Sequence, residues 1–229
     1  MNKLVKTVFI LFLALGFSFV MFEVVKSTLN DTTNEIVVQE NFKINKDMKK
    51  ILVLVDVQND FIDGSLRNED AIKTVPNIVD YINKFDGDAI YATKDTHHDD
   101  YLDTPEGKKL PVVHCIENTE GWQINSEVYG ALVKAMNRNI DLCFIEKPTF
   151  GSYELIKMLK EDLGDLRNVE IEICGFCTDI CVVSNALMIK AEFYDRANIT
   201  VLKDLCAGVT PESHEAALTT MQMCQIDIR

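Results

Sequence analysis

The chain has 229 residues, 47% hydrophobic and 26% charged, which suits one globular domain with a full core plus an appendage. Its formal net charge is −13 and its 23 basic residues do not cluster, which argues against phosphate-backbone binding and so against nucleic acid as a partner. Seven cysteines, an odd number without a short framework spacing, point to thiols rather than to disulfide staples.

Residues 1 to 27 stand apart. Lys3 and Lys6 precede an uncharged run from Thr7 to Phe22, the layout of a signal peptide or a signal anchor. Ala14 and Gly16 offer a small-x-small cleavage site, but apolar residues continue past it, which favours an uncleaved membrane anchor forming an N-terminal hydrophobic helix. The alternative is a buried helix of the globular domain. The lysines ahead of the run favour a cytoplasmic N-terminus and a domain carried across the membrane. Reactive thiols, in contrast, keep best in the reducing cytoplasm, so the side that the domain faces stays open. Residues 28 to 47 are polar, without a sustained period, and read as a linker. The compact domain then spans 48 to 229.

Ile51 to Val55 is a continuous aliphatic run, the mark of a strand buried on both faces. A helix follows over Pro76 to Phe85, with the proline in its first turn. Ala89 to Thr93 is the second strand, and a long polar excursion from Lys94 to Trp122 leads to a helix over Ser126 to Asn137. Loops of that length inside a compact domain are usually functional. Strands over Leu142 to Glu146, Val169 to Cys174 and Ile199 to Leu202 then alternate with helices over Tyr153 to Leu163, Val182 to Tyr194 and Glu212 to Met223. This alternation predicts an α/β fold, a doubly wound, mostly parallel sheet with helices on both faces, Rossmann-like and three-layered.

In such a sheet the site lies beyond the carboxyl ends of the strands. The fourth strand leads through Gly175-Phe176-Cys177-Thr178-Asp179-Ile180-Cys181-Val182 into a helix, which puts Cys181 near a helix N-terminus, where a thiolate is stabilised. The first strand exits into Asp56 and the third into Lys147. Carboxylate, ammonium and thiol form a set suited to acyl transfer through a thioester. Lys147 favours the thiolate, Asp56 takes the thiol proton, and the N–H groups of Cys177 and Cys181 serve as oxyanion donors. The second strand exits into Asp95-Thr96-His97, and the excursion supplies Glu106 and His114. Carboxylate plus two imidazoles is a first shell for zinc, iron or manganese, the alternative being a solvated histidine-containing loop. A rival function is a thiolate metal-binding or redox module built on Cys174, Cys177 and Cys181.

Four stretches then act as a set: Asp56-Val57-Gln58-Asn59-Asp60-Phe61, Asp95-Thr96-His97, His114-Cys115 with Glu117 to Gly121, and Gly175 to Val182. With them the chain from about residue 50 onward resembles the isochorismatase-like cysteine hydrolases, and within these the nicotinamidases. The resemblance implies a triad of Asp56, Lys147 and Cys181, with a non-proline cis peptide at Phe176-Cys177 that aims the Cys177 N–H. It also implies one divalent ion on Asp95, His97 and His114, with Glu106 as fourth ligand, and Phe61 stacking on the substrate. The activity implied is hydrolysis of nicotinamide to nicotinate and ammonia in NAD salvage; the alternative is a hydrolase acting on another small amide or ester. Thr96 stands where the family often has tryptophan, and Leu110 where many nicotinamidases carry an aromatic residue. A second copy of the chain is a further candidate partner, alongside the small-molecule substrate and the membrane.

Overall fold

The structure is a computed structural model that describes residues 50 to 229. The anchor expected over 1 to 27 and the linker over 28 to 47 lie outside the described residues. Among the described residues no helix is long and apolar enough to cross a membrane.

Strands β1 (Lys50–Val55), β2 (Ala89–Asp95), β3 (Asp141–Lys147), β4 (Val169–Phe176), β5 (Ala197–Ala207) and β6 (Asp227–Ile228) form one sheet. All neighbours are parallel, in the order β3-β2-β1-β4-β5-β6. Ile51 to Val55 are wholly buried between β2 and β4, as the unbroken aliphatic run requires of a strand covered on both faces. The chain steps one way through β1, β2 and β3, then returns past β1 and steps the other way through β4, β5 and β6. Right-handed crossovers therefore put helices α1 (Glu69–Lys84) and α2 (Ser126–Met136) on one face. The same rule puts α3 (Tyr153–Leu163), α4 (Val183–Phe193) and α5 (Pro211–Met223) on the other. In keeping with this, α1 packs on α2, α3 on α4, and α4 on α5. The reversal of direction lies between β1 and β4, and it opens a crevice at their carboxyl ends.

Several boundaries differ from the sequence reading, each for a local reason. Helix α1 starts at Glu69, not at Pro76, because the Asn68 side chain accepts hydrogen bonds from the N–H groups of Asp70 and Ala71. An asparagine cap followed by two acidic residues is a stronger start signal than a proline. Pro76 sits inside the helix, where it removes one backbone hydrogen bond. The buried face formed by Ala71, Val75, Ile78 and Ile82 outweighs that loss. Strands β2 and β3 run on to Asp95 and Lys147, and β4 runs on to Phe176, so the residues read as strand exits are the last members of the ladder. β5 is much longer than Ile199 to Leu202 because an irregularity in its pairing with β4 lets it resume at Cys206 opposite Gly175. The two-residue β6 was not anticipated; Arg229 closes it by donating its N–H to Val201 O and accepting from Lys203 N.

Gly175 has φ +121°, and a Cβ there would collide with the Val55 carbonyl, so β1 and β4 meet where only glycine fits. Gly175→Ala should cost more than about 4 kcal/mol or leave the protein insoluble. Gly130, inside α2 with open space around it, is the contrast, and Gly130→Ala should raise stability by ~0.5–1 kcal/mol. Urea unfolding of both variants beside the parent checks the pair, and equal midpoints would reject it.

Candidate active site

Four adjacent strand ends deliver the charged groups. Asp56 follows β1, Asp95 ends β2, Lys147 ends β3, and Cys181 lies beyond β4. The relative exposures of Asp56, Lys147 and Cys181 are 0%, 1% and 4%. Lys147 Nζ is 2.7 Å from Asp56 Oδ2 and 3.1 Å from Asp95 Oδ1, and donates to Thr149 O at 3.0 Å and Cys181 Sγ at 3.5 Å. Asp56 has a left-handed backbone, φ +48°, which turns it out of the strand. Thr93 fixes that turn, accepting from Asp56 N and donating its hydroxyl to Asp56 Oδ1 at 2.7 Å.

The electrostatics follow from this geometry. Burial opposes the Lys147 ammonium, yet Asp56, Cys181 and Asp95 outweigh it and hold its pKa well above the ordinary value. Burial raises the Asp56 carboxyl above its usual range, against the pull of Lys147. Burial, reinforced by Asp56, pushes the Cys181 thiol well up, with Lys147 acting the other way. Desolvation beside the Asp56 carboxylate thus opposes the thiolate that a helix terminus favours.

The turn that carries Cys181 also differs from the simple strand-to-helix corner. β4 ends at Phe176, the Phe176–Cys177 peptide is cis, and a π-helical turn over Thr178–Val182 precedes α4. Cys181 is the fourth residue of that turn, whose Ile180 and Val182 N–H groups both donate to Cys177 O at 3.1 Å. Asn185, wholly buried, donates to Cys181 O at 2.8 Å and Phe150 O at 3.1 Å and accepts from Ser152 N at 2.9 Å. It thus ties the turn to the segment that follows Lys147.

Asp95, His97 and His114 bring their potential ligand atoms within 4.8 Å of one another, all three residues being buried. Among the described residues Cys174, Cys177 and Cys181 form no such group, so the thiolate metal reading has no counterpart. His114 Nδ1 lies 2.8 Å from Val112 O. A carbonyl only accepts, so Nδ1 carries the proton and the Nε2 lone pair faces the cluster. His97 Nε2, 3.1 Å from Asp95 Oδ2 but not aligned for a hydrogen bond, is a buried polar atom without a partner. Glu106 Oε1 is 3.8 Å from each of the two Nε2 atoms. Burial alone would raise the Asp95 carboxyl, but His114, His97 and Lys147 hold it well below its ordinary range. An orphaned imidazole nitrogen, a fixed tautomer and an ionised carboxylate fit a divalent cation.

Phe61 meets His114 edge-on at 5.7 Å and lines a cleft of about 1080 Å³ that also reaches Cys177, Cys181, Asp95 and Glu106. Other supporting residues were not found in the sequence. Gln58 donates to the carbonyls of Asp95 and Trp122 and accepts from Asp95 N at 2.7 Å, acting as a third peptide beside the end of β2. Asp60 accepts from Cys115 N at 2.7 Å, which seats the residue after His114. Tyr101 packs its ring 4.7 Å from His97 and 5.0 Å from His114. Gln58 and Asp60 sit inside the stretch after β1, where their density of polar residues behind an aliphatic strand was a signal; Tyr101 gave none.

Removing Lys147 would leave Asp56 and Asp95 buried without their counter-charge. Lys147→Met should therefore lose about 3–5 kcal/mol of stability. Urea unfolding at neutral pH reads this out, and a variant as stable as the parent would contradict the geometry.

Residues 50 to 228 match the isochorismatase domain family. The nicotinamidase/pyrazinamidase of Mycobacterium tuberculosis is 27% identical over 191 residues, which cover 78% of this chain and 97% of that protein. Among solved structures, nicotinamidase/pyrazinamidase PncA of Bacillus subtilis is similar with a TM-score of 0.68 at 26% identity, over 79% of this chain and 99% of that one. The pyrazinamidase of Pyrococcus horikoshii, solved in complex with zinc, is similar with a TM-score of 0.61 at 26% identity, over 79% and 98%. The family match takes in every strand of the sheet and every residue of the cleft; the chain belongs to the isochorismatase family.

Proposed function

We propose that the chain is an amidase that hydrolyses nicotinamide to nicotinate and ammonia through a thioester on Cys181. The observation that carries this reading is the Lys147 ammonium, in contact at once with Asp56, with Cys181 and with Asp95 of the histidine cluster. A nucleophile and a cation-binding shell thus open into one cleft. Relatives named nicotinamidase/pyrazinamidase, and a pyrazinamidase solved with zinc, support the substrate class and the cation.

Asp56 acts as the base at the moment of attack. Sulfur bonds to the carboxamide carbon while the thiol proton passes to the Asp56 carboxylate, and the N–H groups of Cys177 and Cys181 receive the oxyanion. Asp56 returns the proton to the departing nitrogen, the C–N bond breaks and ammonia leaves. A water then gives its proton to Asp56 and attacks the thioester; the C–S bond breaks and the sulfur recovers a proton. Lys147 stays charged throughout and balances whichever of Asp56 and Cys181 is anionic. Asp95, His97 and His114, with Glu106 as fourth ligand, would hold one divalent zinc, iron or manganese ion, which when bound supplies a Lewis-acidic site for the pyridine nitrogen. Phe61 faces the substrate ring. A hydrolase for another small amide or ester would use the same triad but has no evident use for the cluster.

Ammonia release from nicotinamide should be measurable with the domain 48 to 229, and Cys181→Ala should lose about 10⁴-fold or more of it. Turnover unchanged in that variant would remove the mechanism. A panel of pyridine and aliphatic carboxamides then sets the substrate range.

The purified protein should carry about one divalent ion per chain, and the double substitution His97→Ala with His114→Ala should abolish it. Elemental analysis decides; stoichiometric metal in the double variant would reject the ligand set.

Residues 1 to 27 act in this reading as a membrane anchor and 28 to 47 as a tether, both separable from catalysis, since the family match begins at residue 50. Fractionated cells should hold the full chain with membranes, and a chain starting at Met48 should be soluble and equally active. An intact full chain found wholly in the soluble fraction would overturn the anchor.

A further inference from the structure

The catalytic groups come from strands β1 to β4 and their exits, yet the turn that carries Cys181 is also held from α5. That helix packs against Thr178–Val182. Thr178 is wholly buried, and its Oγ1 lies 2.8 Å from His214 Nδ1 on α5. One residue further on, the Asp179 carboxylate accepts from Val209 N at 3.1 and 3.2 Å. The segment between β5 and α5 is seated tightly: a Cβ on Gly208 would run into the Cα and Cβ of His214, and Gly208 O accepts from the Asn68 side chain at 2.7 Å. His214 is therefore not free to drift from Thr178. Val209, on the same segment, lines the cleft.

We infer that His214 is a positioning residue for the Cys181 chemistry: through Thr178 it fixes the Cys177–Cys181 turn against α5, while Asn185 holds Cys181 O. Both proposed oxyanion donors and the sulfur belong to this turn, so a displaced turn moves all three together relative to the carbonyl. The substrate ring faces groups on other elements, Phe61 and the cluster. Loss of the His214 contact should thus fall on kcat and leave KM nearly alone. This inference rests on the amidase reading for its kinetic form but not for its structural form.

The test uses the full chain with its metal and compares His214→Ala, Thr178→Val, their double variant and His214→Asn. An asparagine side chain can place a polar atom where Nδ1 stands. His214→Ala and Thr178→Val should each lower kcat for nicotinamide about 10- to 100-fold, as expected for a nucleophile misplaced by about 1 Å. KM should stay within about threefold in both, and metal content should be unchanged. The double variant should be no worse than either single one, and His214→Asn should recover most of the rate. Variants that lose only thermal stability while kcat per folded molecule is kept, or that change KM alone, would overturn the inference. Should the parent not hydrolyse nicotinamide at all, the amidase reading fails and the inference is decided by hydrogen exchange. His214→Ala must then speed exchange of the 178 to 182 backbone amides relative to both the parent and His214→Asn, and equal rates in all three would overturn it.

Discussion

One buried ammonium holds the carboxyl end of this sheet together. Lys147 Nζ is enclosed by Asp56, Asp95, Thr149 O and Cys181 Sγ, drawn from four separate segments of the chain. Removing a lysine from water costs several kcal/mol, and only close, well-directed acceptors make the buried charge tolerable. Asp56, Asp95 and Cys181 are in turn buried groups that need the cation. The arrangement is thus mutually dependent, and it sets how near to one another the ends of β1, β2 and β3 must come.

Asp95 is where this dependence passes into the histidine cluster. Its Oδ1 faces Lys147, whereas its Oδ2 faces His97 and His114. A single carboxylate therefore belongs to both halves of the cleft. Its backbone is held by Gln58 on both its N–H and its C=O, as a neighbouring strand would hold it, at the point where the real neighbour β1 has already ended. Asp60, Thr93 and Asn185 play comparable parts at Cys115, Asp56 and Cys181. The cleft thus stands on side-chain hydrogen bonds that hold its backbone beyond the last ladder residues.

Much of this was legible in the sequence because the relevant signals are local. The aliphatic run of β1 announces a strand covered on both faces, and alternation with helices gives the parallel sheet, whose strand ends were then sites worth inspecting. Asp56, Asp95, His97, Lys147 and Cys181 could be picked by that rule alone. What stayed hidden depends on distant partners. The start of α1 is set by the Asn68 cap, whereas Pro76, the more conspicuous signal in the sequence, lies inside the helix. The π-helical turn at Thr178–Val182 has no periodicity of its own. The upward push on the Cys181 thiol comes from burial and from Asp56, which helix position alone does not reveal. β6 is two residues long, and it forms only because β5 offers it an edge.

The pairing of β1 with β4 carries a consequence for the order of events during synthesis. These strands are neighbours in space, but β2, β3 and three helices separate them in the chain. Asp56 therefore leaves the ribosome long before Cys181, and the two cannot meet until this most remote ladder closes. Non-local closure of that kind is slow compared with helix formation. Until it happens, the emerging polypeptide has a carboxylate, an ammonium and a thiol that have not yet been brought together. The buried cluster of carboxylate, ammonium and thiol therefore assembles only once β4 joins β1, long after its first member has been made.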